Sequence, residues 1–170
     1  MNPINIRELK MTDAQALLAF EVDNRVWFES HIDPRDPSFY SMQGVAEHIE
    51  GYLSDFALGA WHLLVIEDSS GRIVGRANLK NIHSPRDCAE VGYRIGQQAC
   101  GQGLATLALR HLIQEAGRRW KLTQLVAYVY TENVGSRKVL ERCGFRPEKL
   151  AAGDKAEGEC RFVLSILQSP

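Results

Sequence analysis

The chain has 170 residues, of which 45% are hydrophobic and 24% are charged, and its formal net charge at pH 7 is −1. This length suits one compact domain with a full core, and we expect a single domain over residues 1–170. The near-neutral charge excludes a globally basic surface, so we expect no nucleic-acid partner and no membrane partner.

The cysteines and histidines are too dispersed to predict a disulfide framework or a metal site. Cys88, Cys100, Cys143 and Cys160 form no C-x-x-C pair, and no histidine has a His or Cys three or four positions away. The first eight residues lack the charged start and apolar core of a signal peptide. We therefore expect a reducing, cytoplasmic location and no metal.

The first third of the chain predicts one strand and two helices. Ile4 to Leu9 alternates apolar and polar residues, as a half-buried strand does. Thr12 to Gln15 has the form of a capping box and opens a helix that runs to about Ser30. Two prolines then predict a loop, and apolar residues at helical spacing predict a second helix from Gln43 to Leu58.

The middle of the chain predicts three strands, the first two joined by a turn at Asp68 to Gly71. They cover Trp61–Ile66, Ile73–Leu79 and Ala89–Ile95. In the third strand, strict alternation assigns Ala89, Val91, Tyr93 and Ile95 to one face, and Glu90, Gly92 and Arg94 to the other.

The last part predicts an amphipathic helix, a strand, a short helix and closing strands. Their ranges are Gly103–Trp120, Leu125–Tyr130, Ser136–Cys143 and, for the last strand, Cys160–Leu167. The predicted order is β-α-α-β-β-β-α-β-α-β-β. We therefore expect an α/β (α+β) fold, with a mixed, mostly antiparallel central sheet and helices on both faces.

A loop with three glycines joins the strand that ends at Ile95 to the long helix. Unpaired N–H groups and the positive dipole end at a helix N-terminus suit a phosphate or pyrophosphate, and glycine lets the backbone approach it closely. No Gly-Lys-Ser/Thr follows, which excludes a P-loop, and Thr106 stands where a dinucleotide fingerprint requires glycine. A turn that uses glycine for geometry alone is the alternative.

A second motif runs from Thr131 to Phe145. Asn133 stands between a strand and a helix, where its side chain suits a helix cap, and Gly144 suits the left-handed position after the helix.

At this spacing, the two motifs resemble the GNAT superfamily of N-acetyltransferases, in the branch of the RimJ/RimL ribosomal-protein acetyltransferases. Gly101-x-Gly103-x-Ala105 and Asn133-x-x-Ser136 followed by Leu140-x-x-x-Gly144-Phe145 carry the resemblance, which covers nearly the whole chain. It implies acetyl-CoA as co-substrate, bound by two groups of residues. The pyrophosphate would lie on backbone amides of Gly101, Gln102, Gly103, Leu104, Ala105 and Thr106, and the pantetheine arm on Tyr93, Arg94, Ile95, Asn133 and Ser136.

The resemblance also implies catalytic roles for two residues. Glu90 would be the general base for the amine, and Ser136 the proton donor to the thiolate, because Leu140 stands where many members carry an acidic tyrosine. Cys100 stands where they carry Gln or Arg. Glu90 has the alternative of a solvated strand residue or a partner for Arg94 or Arg76, and Ser136 that of a local hydrogen bond.

The expected reaction is direct acetyl transfer to a primary amine, either a protein N-terminal α-amine or a small-molecule amine. The oxyanion would lie on a backbone N–H near Ile95. Five residues around the proline loop are candidates for lining the acceptor site, with core packing as the alternative: Arg25, Trp27, Phe28, Arg35 and Tyr40.

Two other functions remain open: a non-catalytic acyl-CoA-binding module, favoured by Leu140, and a nucleotide-binding domain using the same glycine loop. We expect a monomer or homodimer.

Overall fold

The computed structural model describes residues 3–83, 87–148 and 158–166. Within them lie seven strands: β1 (Asn5–Glu8), β2 (His62–Glu67), β3 (Ile73–His83), β4 (Cys88–Ile95), β5 (Gln124–Tyr130), β6 (Arg146–Pro147) and β7 (Glu159–Ser165). The same ranges contain five α-helices: α1 (Ala14–Asp23), α2 (Arg25–Glu29), α3 (Met42–Ala57), α4 (Leu104–Arg118) and α5 (Val134–Arg142).

All seven strands belong to one sheet, in the order β1-β2-β3-β4-β5-β7-β6. Every neighbouring pair is antiparallel except β4 and β5, which are parallel and connected through α4. The expected mixed, mostly antiparallel sheet is confirmed.

Helices cover both faces of the sheet, because its central strands are apolar on both sides. On β2, Leu64 and Ile66 pack into a core with α4 and α5. Leu63 and Val65, which alternate with them, pack into a second core with α1, α2 and α3. A continuous apolar run of this kind is typical of a strand buried on both faces.

The face assignment on β4 is also confirmed. Ala89, Val91, Tyr93 and Ile95 all pack in the core that contains α4 and α5. Glu90, Gly92 and Arg94 therefore lie on the opposite face of β4, which is the side of the sheet that carries α1 to α3.

The helix predicted to run to Ser30 is two helices, because Asn24 interrupts it. The Asn24 side chain donates a hydrogen bond to the Phe20 carbonyl at 2.9 Å and accepts one from the Gln97 N–H at 2.9 Å. An asparagine that binds backbone groups in this way competes with the helical ladder. The break ties the first helical segment to the glycine loop.

The predicted capping box at Thr12 does not form. Asp13 instead accepts a hydrogen bond from the Lys10 N–H at 2.8 Å and pairs with Arg7 at 2.7 Å. A short 3₁₀ turn, Met11–Asp13, therefore precedes α1. The Asp13 carboxylate forms a charge-assisted hydrogen bond with the Arg7 guanidinium, which is stronger than one formed by the neutral Thr12 hydroxyl.

The remaining boundaries differ by a few residues. β3 continues to His83, past the predicted end at Leu79, and β7 ends at Ser165. The predicted final residue, Leu167, and most of the polar connection from 151 to 159 lie outside the described residues.

Candidate active site

A cleft opens between β4 and β5 because the two strands pair only at their first residues. The parallel register joins Cys88 to Gln124, Ala89 to Leu125 and Glu90 to Val126, and β4 and β5 do not pair with each other beyond these residues. Both strands continue, to Ile95 and Tyr130, so they diverge. The edge of β4 that faces the cleft therefore carries unpaired peptide groups.

The direction of those peptide groups follows from the pairing on the other side of β4. Gly96 donates its N–H to the Val74 carbonyl of β3 at 2.9 Å. Successive peptide groups point to opposite sides of a strand, so the backbone groups of Tyr93 and Ile95 point away from β3, into the cleft. Those of Arg94, which lies opposite Arg76, point towards β3.

Trp27 closes one wall of this cleft. Its indole N–H donates a hydrogen bond to the Ile95 carbonyl at 3.3 Å. The Ile95 N–H has no acceptor among the described residues, and its role as oxyanion donor stays a prediction. Trp27 is thus more than a core residue, since it connects α2 to the end of β4.

The glycine loop presents a run of free backbone donors. Gly101 and Gly103 have φ values of 78° and 79°, a left-handed conformation that glycine adopts without strain. In the described part of the chain, no N–H from Gly101 to Thr106 donates a hydrogen bond, and the first helical bond runs from the Leu107 N–H to the Gly103 carbonyl. Six consecutive free amides at a helix N-terminus suit the binding of an anion.

Cys100, the departure from the family pattern in this loop, is directed at backbone carbonyls. Its Sγ lies 3.4 Å from the Gly96 oxygen and 3.8 Å from the Ile95 oxygen. Desolvation raises the pKa of this thiol. It is therefore a bystander rather than an activated nucleophile.

On the other side of the cleft, Ser136 is held by two partners. The Asn133 side chain caps α5 by accepting a hydrogen bond from the Ser136 N–H at 3.2 Å, which confirms the predicted cap. The Tyr93 hydroxyl lies 2.8 Å from Ser136 Oγ, and burial raises the pKa of that phenol. This tyrosine pairing was not predicted from the sequence.

Leu140 lies in the core rather than in the cleft. Its side chain is 1% exposed, and its carbonyl accepts a hydrogen bond from the Phe145 N–H at 3.0 Å. Gly144, with a φ of 95°, ends α5 in the predicted left-handed conformation. The phenol beside Ser136 is that of Tyr93, on β4, and not one at position 140.

Glu90 lies on the polar face of β4, at the point where β4 and β5 begin to separate. It is half-buried and lies opposite Lys80 of β3. Its side chain forms no hydrogen bond or ion pair with any residue in the described ranges, and it is not the partner of Arg94 or Arg76. A carboxylate left free at this position suits a proton acceptor.

The actual partner of those arginines is Glu21 of α1, which the sequence analysis missed. Its carboxylate is 1% exposed, with Arg76 at 2.9 Å, Arg94 at 3.0 Å and Arg35 at 3.6 Å. One signal existed in the sequence. Glu21 lies four residues after Leu17 and seven before Phe28, on the face that a helix would bury.

The residues suggested for the acceptor side lie together on the face of the sheet that carries α1 to α3. Arg25 stacks on Tyr40 at 4.0 Å, measured from the guanidinium carbon to the ring centroid. In the same way, Arg94 stacks on Phe28 at 4.8 Å, and Arg35 on Phe39 at 4.5 Å. Cation–π contacts of this kind hold guanidinium groups in fixed positions.

A surface groove of about 1220 Å³ lies between α1, the β2–β3 turn and the glycine loop. Its lining includes Gln102, Gly103 and Leu104 of the glycine loop, but not Tyr93, Glu90 or Ser136. The groove therefore reaches the loop only, and we place the candidate active site in the cleft, where the candidate catalytic residues lie. Over the described ranges, the chain has no helix of the length and hydropathy needed to cross a membrane.

Comparison with known proteins decides the family. A model described as "Acetyltransferase (GNAT) domain" matches residues 4–146. The chain belongs to this family. A curated relative, "Probable N-acetyltransferase YjcK" of Bacillus subtilis, is 31% identical over 96% of this chain and 93% of its own length.

Solved acetyltransferases share the fold of this GNAT enzyme. The ribosomal-protein-S5-alanine acetyltransferase from Vibrio fischeri superposes with a TM-score of 0.87 at 20% identity, over 98% of this chain and 97% of its own. Mycobacterium smegmatis RimJ, solved in complex with CoA-disulfide, gives a TM-score of 0.83 at 24% identity, over 95% and 81%. The protein is an N-acetyltransferase of RimJ/RimL-like fold, and its family uses acetyl-CoA as acetyl donor.

Proposed function

We propose that residues 1–170 form one acetyltransferase domain that moves an acetyl group directly from acetyl-CoA to a primary amine. The cleft between β4 and β5 carries this proposal, because its unpaired strand edge leads to six free amides on the glycine loop. An extended arm ending in a pyrophosphate needs hydrogen-bonding groups along its length and an anion site at its end.

In this arrangement, acetyl-CoA lies along the cleft. The amides of Gly101 to Thr106 hold the pyrophosphate, and the backbone groups of Tyr93 and Ile95 bind the pantetheine arm. Arg94 was expected to share this role, but its backbone groups point towards β3. Asn133 and Ser136, at the start of α5, approach it from the opposite side. The Ile95 N–H stabilises the oxyanion that forms on the thioester carbonyl oxygen when the amine attacks the carbonyl carbon.

Glu90 is the proposed general base. An amine attacks only as the neutral species, and an α-amine with a pKa of about 7.7–8.0 needs less assistance than a lysine near 10.4. The half-buried Glu90 carboxylate, free of partners among the described residues, accepts the proton directly or through one water.

Ser136 is the proposed proton donor to the departing CoA thiolate. The Tyr93 hydroxyl lies 2.8 Å from Ser136 Oγ and 3.3 Å from the Ser136 carbonyl oxygen. In the proposed step it donates to Oγ, so that the serine proton is free for the sulfur. This pair takes the place of the tyrosine that other members carry at the position of Leu140.

The acceptor is either a protein N-terminal α-amine or a small-molecule amine. Among the structural neighbours, the RimL protein is named as a ribosomal L7/L12 α-N-protein acetyltransferase, and another neighbour as a spermidine N-acetyltransferase. We propose a cytoplasmic monomer or homodimer with no nucleic-acid or membrane partner. The four free cysteines support a reducing compartment.

Thiol release from acetyl-CoA, measured across N-terminal peptides and small amines, tests the proposal. We expect Glu90→Gln to lower kcat by about 10²- to 10⁴-fold. Glu141→Gln, an exposed carboxylate on α5, is the matched control. An unchanged rate and pH profile in Glu90→Gln would remove Glu90 from the mechanism.

Ser136→Ala and Tyr93→Phe test the proton donor separately. Each variant is expected to change kcat more than it changes the KM for acetyl-CoA, and kcat should fall. The double variant should have a kcat close to that of either single variant, since the two groups act as one unit. Full turnover in Ser136→Ala would make water the proton source. Acetyl-CoA binding without transfer to any amine would favour the non-catalytic binding module.

A further inference from the structure

Three guanidinium groups surround a single carboxylate on the acceptor face of the sheet. Among the described residues, Glu21 is the one carboxylate within 4.0 Å of Arg35, Arg76 or Arg94. Arg76 is buried, with a side chain 3% exposed, whereas the side chains of Arg94 and Arg35 are 22% and 23% exposed. Three positive charges against one negative charge leave an excess at this site.

In the described part of the chain, no second carboxylate forms an ion pair with these three arginines. His48 accepts a hydrogen bond from Arg76 at 3.2 Å and adds no negative charge. The pKa of Arg94 is lowered to about 10, mainly by burial and in part by Arg35 and Arg76, while Glu21 opposes the shift. A second anion at the cluster would therefore stabilise the charged form of Arg94.

The cluster also has donors to spare. Arg35 approaches Glu21 no closer than 3.6 Å, and its buried Nε has no hydrogen-bond partner in the described part of the chain. Arg94 uses one terminal nitrogen on Glu21. A guanidinium offers five N–H donors in a planar fork that matches a carboxylate.

The cluster lies on the same face of β4 as the proposed base. Glu90 and Arg94 are four residues apart on one strand, which corresponds to about 13 Å along β4. Arg35 reaches the cluster from the loop between α2 and α3. A bound molecule between them would place an amine near Glu90 and an anionic group near the arginines.

We propose that Arg35 and Arg94 bind a carboxylate of the acceptor, so that the substrates are amines on acidic molecules, such as peptide N-termini followed by acidic residues. This inference rests on the proposed function, whose acceptor it narrows. It argues against polyamines, because a polycation would be repelled by the excess charge.

Matched tetrapeptides with amidated C-termini test the charge preference: Ser-Asp-Glu-Ala, its neutral twin Ser-Asn-Gln-Ala and the basic Ser-Lys-Arg-Ala. We expect kcat/KM for the acidic peptide to exceed that for the neutral one by about 10- to 100-fold, as expected for one or two charge-assisted hydrogen bonds. Raising the salt from 50 to 500 mM should shrink that ratio. Free aspartate and glutamate determine whether the peptide backbone is needed.

Arg35→Gln assigns the preference to the cluster. It removes the arginine that contributes least to holding Glu21, so the fold should persist. The ratio of acidic to neutral kcat/KM should fall to near one, with the KM for acetyl-CoA unchanged. Arg118→Gln, the same charge change at an exposed position on α4, should keep the wild-type ratio.

A binding measurement separates this inference from the proposed function. The N-acetylated acidic peptide, titrated in the presence of CoA, should bind wild type about ten-fold or more tightly than it binds Arg35→Gln. Equal binding, or equal turnover of the three tetrapeptides, would overturn the inference while leaving acetyl transfer intact. Charge-selective binding without any transfer would instead overturn the proposed function alone.

Discussion

Glu21 determines whether the polar face of the sheet can be buried at all. A carboxylate that is 1% exposed is costly unless it is paired, and here Arg76 and Arg94 bond to its two oxygens at 2.9 and 3.0 Å. The same contacts connect α1 to β3 and β4. The acceptor side thus depends on a residue that touches no substrate in the proposed mechanism.

Replacing Glu21 by glutamine should destabilise the fold strongly. The change keeps the shape but leaves Arg76, 3% exposed, without its counter-charge. Breaking a buried ion pair in this way lowers the free energy of unfolding by about 3 kcal/mol. Urea unfolding at pH 7 measures it, with Glu29→Gln as control, because that carboxylate forms an exposed pair with Arg25. A loss no larger than in the control would mean that the arginines are solvated.

His48 links this cluster to pH. The pKa of His48 is lowered from an ordinary 6.5 to about 3, mainly by burial and in part by the charges of Arg76, Arg35 and Arg94. Since the folded-state pKa is below the unfolded one, the unfolded chain binds the additional proton between these values. The contribution of neutral His48 is therefore complete above pH 6.5 and is lost progressively as the pH falls towards 3.

We predict that His48→Gln reduces the acid sensitivity of the fold. The histidine contributes to the free energy of unfolding a slope of up to about 1.4 kcal/mol per pH unit, which is about 2 kcal/mol between pH 6.5 and 5. Urea unfolding at these two pH values should show that difference between wild type and variant. His31→Gln, at an exposed histidine, should retain the wild-type slope. A wild-type slope in His48→Gln would show that His48 titrates normally.

At this scale, the sequence predicts local roles better than long-range partners. The Asn133 cap spans three residues, so the spacing determines it. By contrast, Glu21 and Arg94 are 73 residues apart, and Tyr93 and Ser136 are 43 apart. Such contacts follow from how the sheet is ordered, which no local pattern contains.

Among the elements, the glycine loop before α4 has a left-handed backbone conformation and leaves open space for a ligand. A Cβ added at Gly103 would meet nothing within 4 Å, so the φ of 79°, and not crowding, is what requires glycine there. The same open space is where the proposed pyrophosphate would lie. A substitution at Gly103 should therefore change both the stability of the fold and the binding of acetyl-CoA.

We predict that Gly103→Ala costs about 1 kcal/mol of stability and raises the KM for acetyl-CoA by about ten-fold. The control is Gly59→Ala, whose φ of 75° gives similar strain and whose added Cβ would meet only Trp120, at 3.7 Å. Gly59 precedes β2, near the opposite end of α4. The Gly59→Ala variant should lose a similar amount of stability, with an unchanged KM for acetyl-CoA. Equal KM values in the two variants would contradict the pyrophosphate site.

Elements were predicted well where periodicity is strong and less well where a side chain binds the backbone. Helices α3 and α4 begin and end within two residues of the expected positions. The helix expected to reach Ser30 breaks at Asn24 because that side chain bonds to Gln97, far away in the sequence. An apolar pattern continues through such a break, so the pattern alone does not reveal it.

At the scale of the whole molecule, the sheet is incomplete where β4 and β5 diverge. After three paired residues, peptide groups on the cleft side of β4 have no strand partner in the described ranges, and the amides of the glycine loop have no acceptor there. A ligand that satisfies both sets stabilises the folded state over the unfolded one by mass action. The stability of the molecule should therefore report the occupancy of the cleft.

Acetyl-CoA at about 100 times its Kd should raise the free energy of unfolding by about 2.7 kcal/mol. For a domain of this size that corresponds to a Tm increase of about 5–11 °C, measured by scanning calorimetry. ATP and NAD at the same concentration should shift the Tm by no more than about 1 °C, because neither carries an arm that pairs with the edge of β4. A larger shift with ATP than with acetyl-CoA would instead make the glycine loop a nucleotide site, since the pantetheine contacts would then contribute nothing.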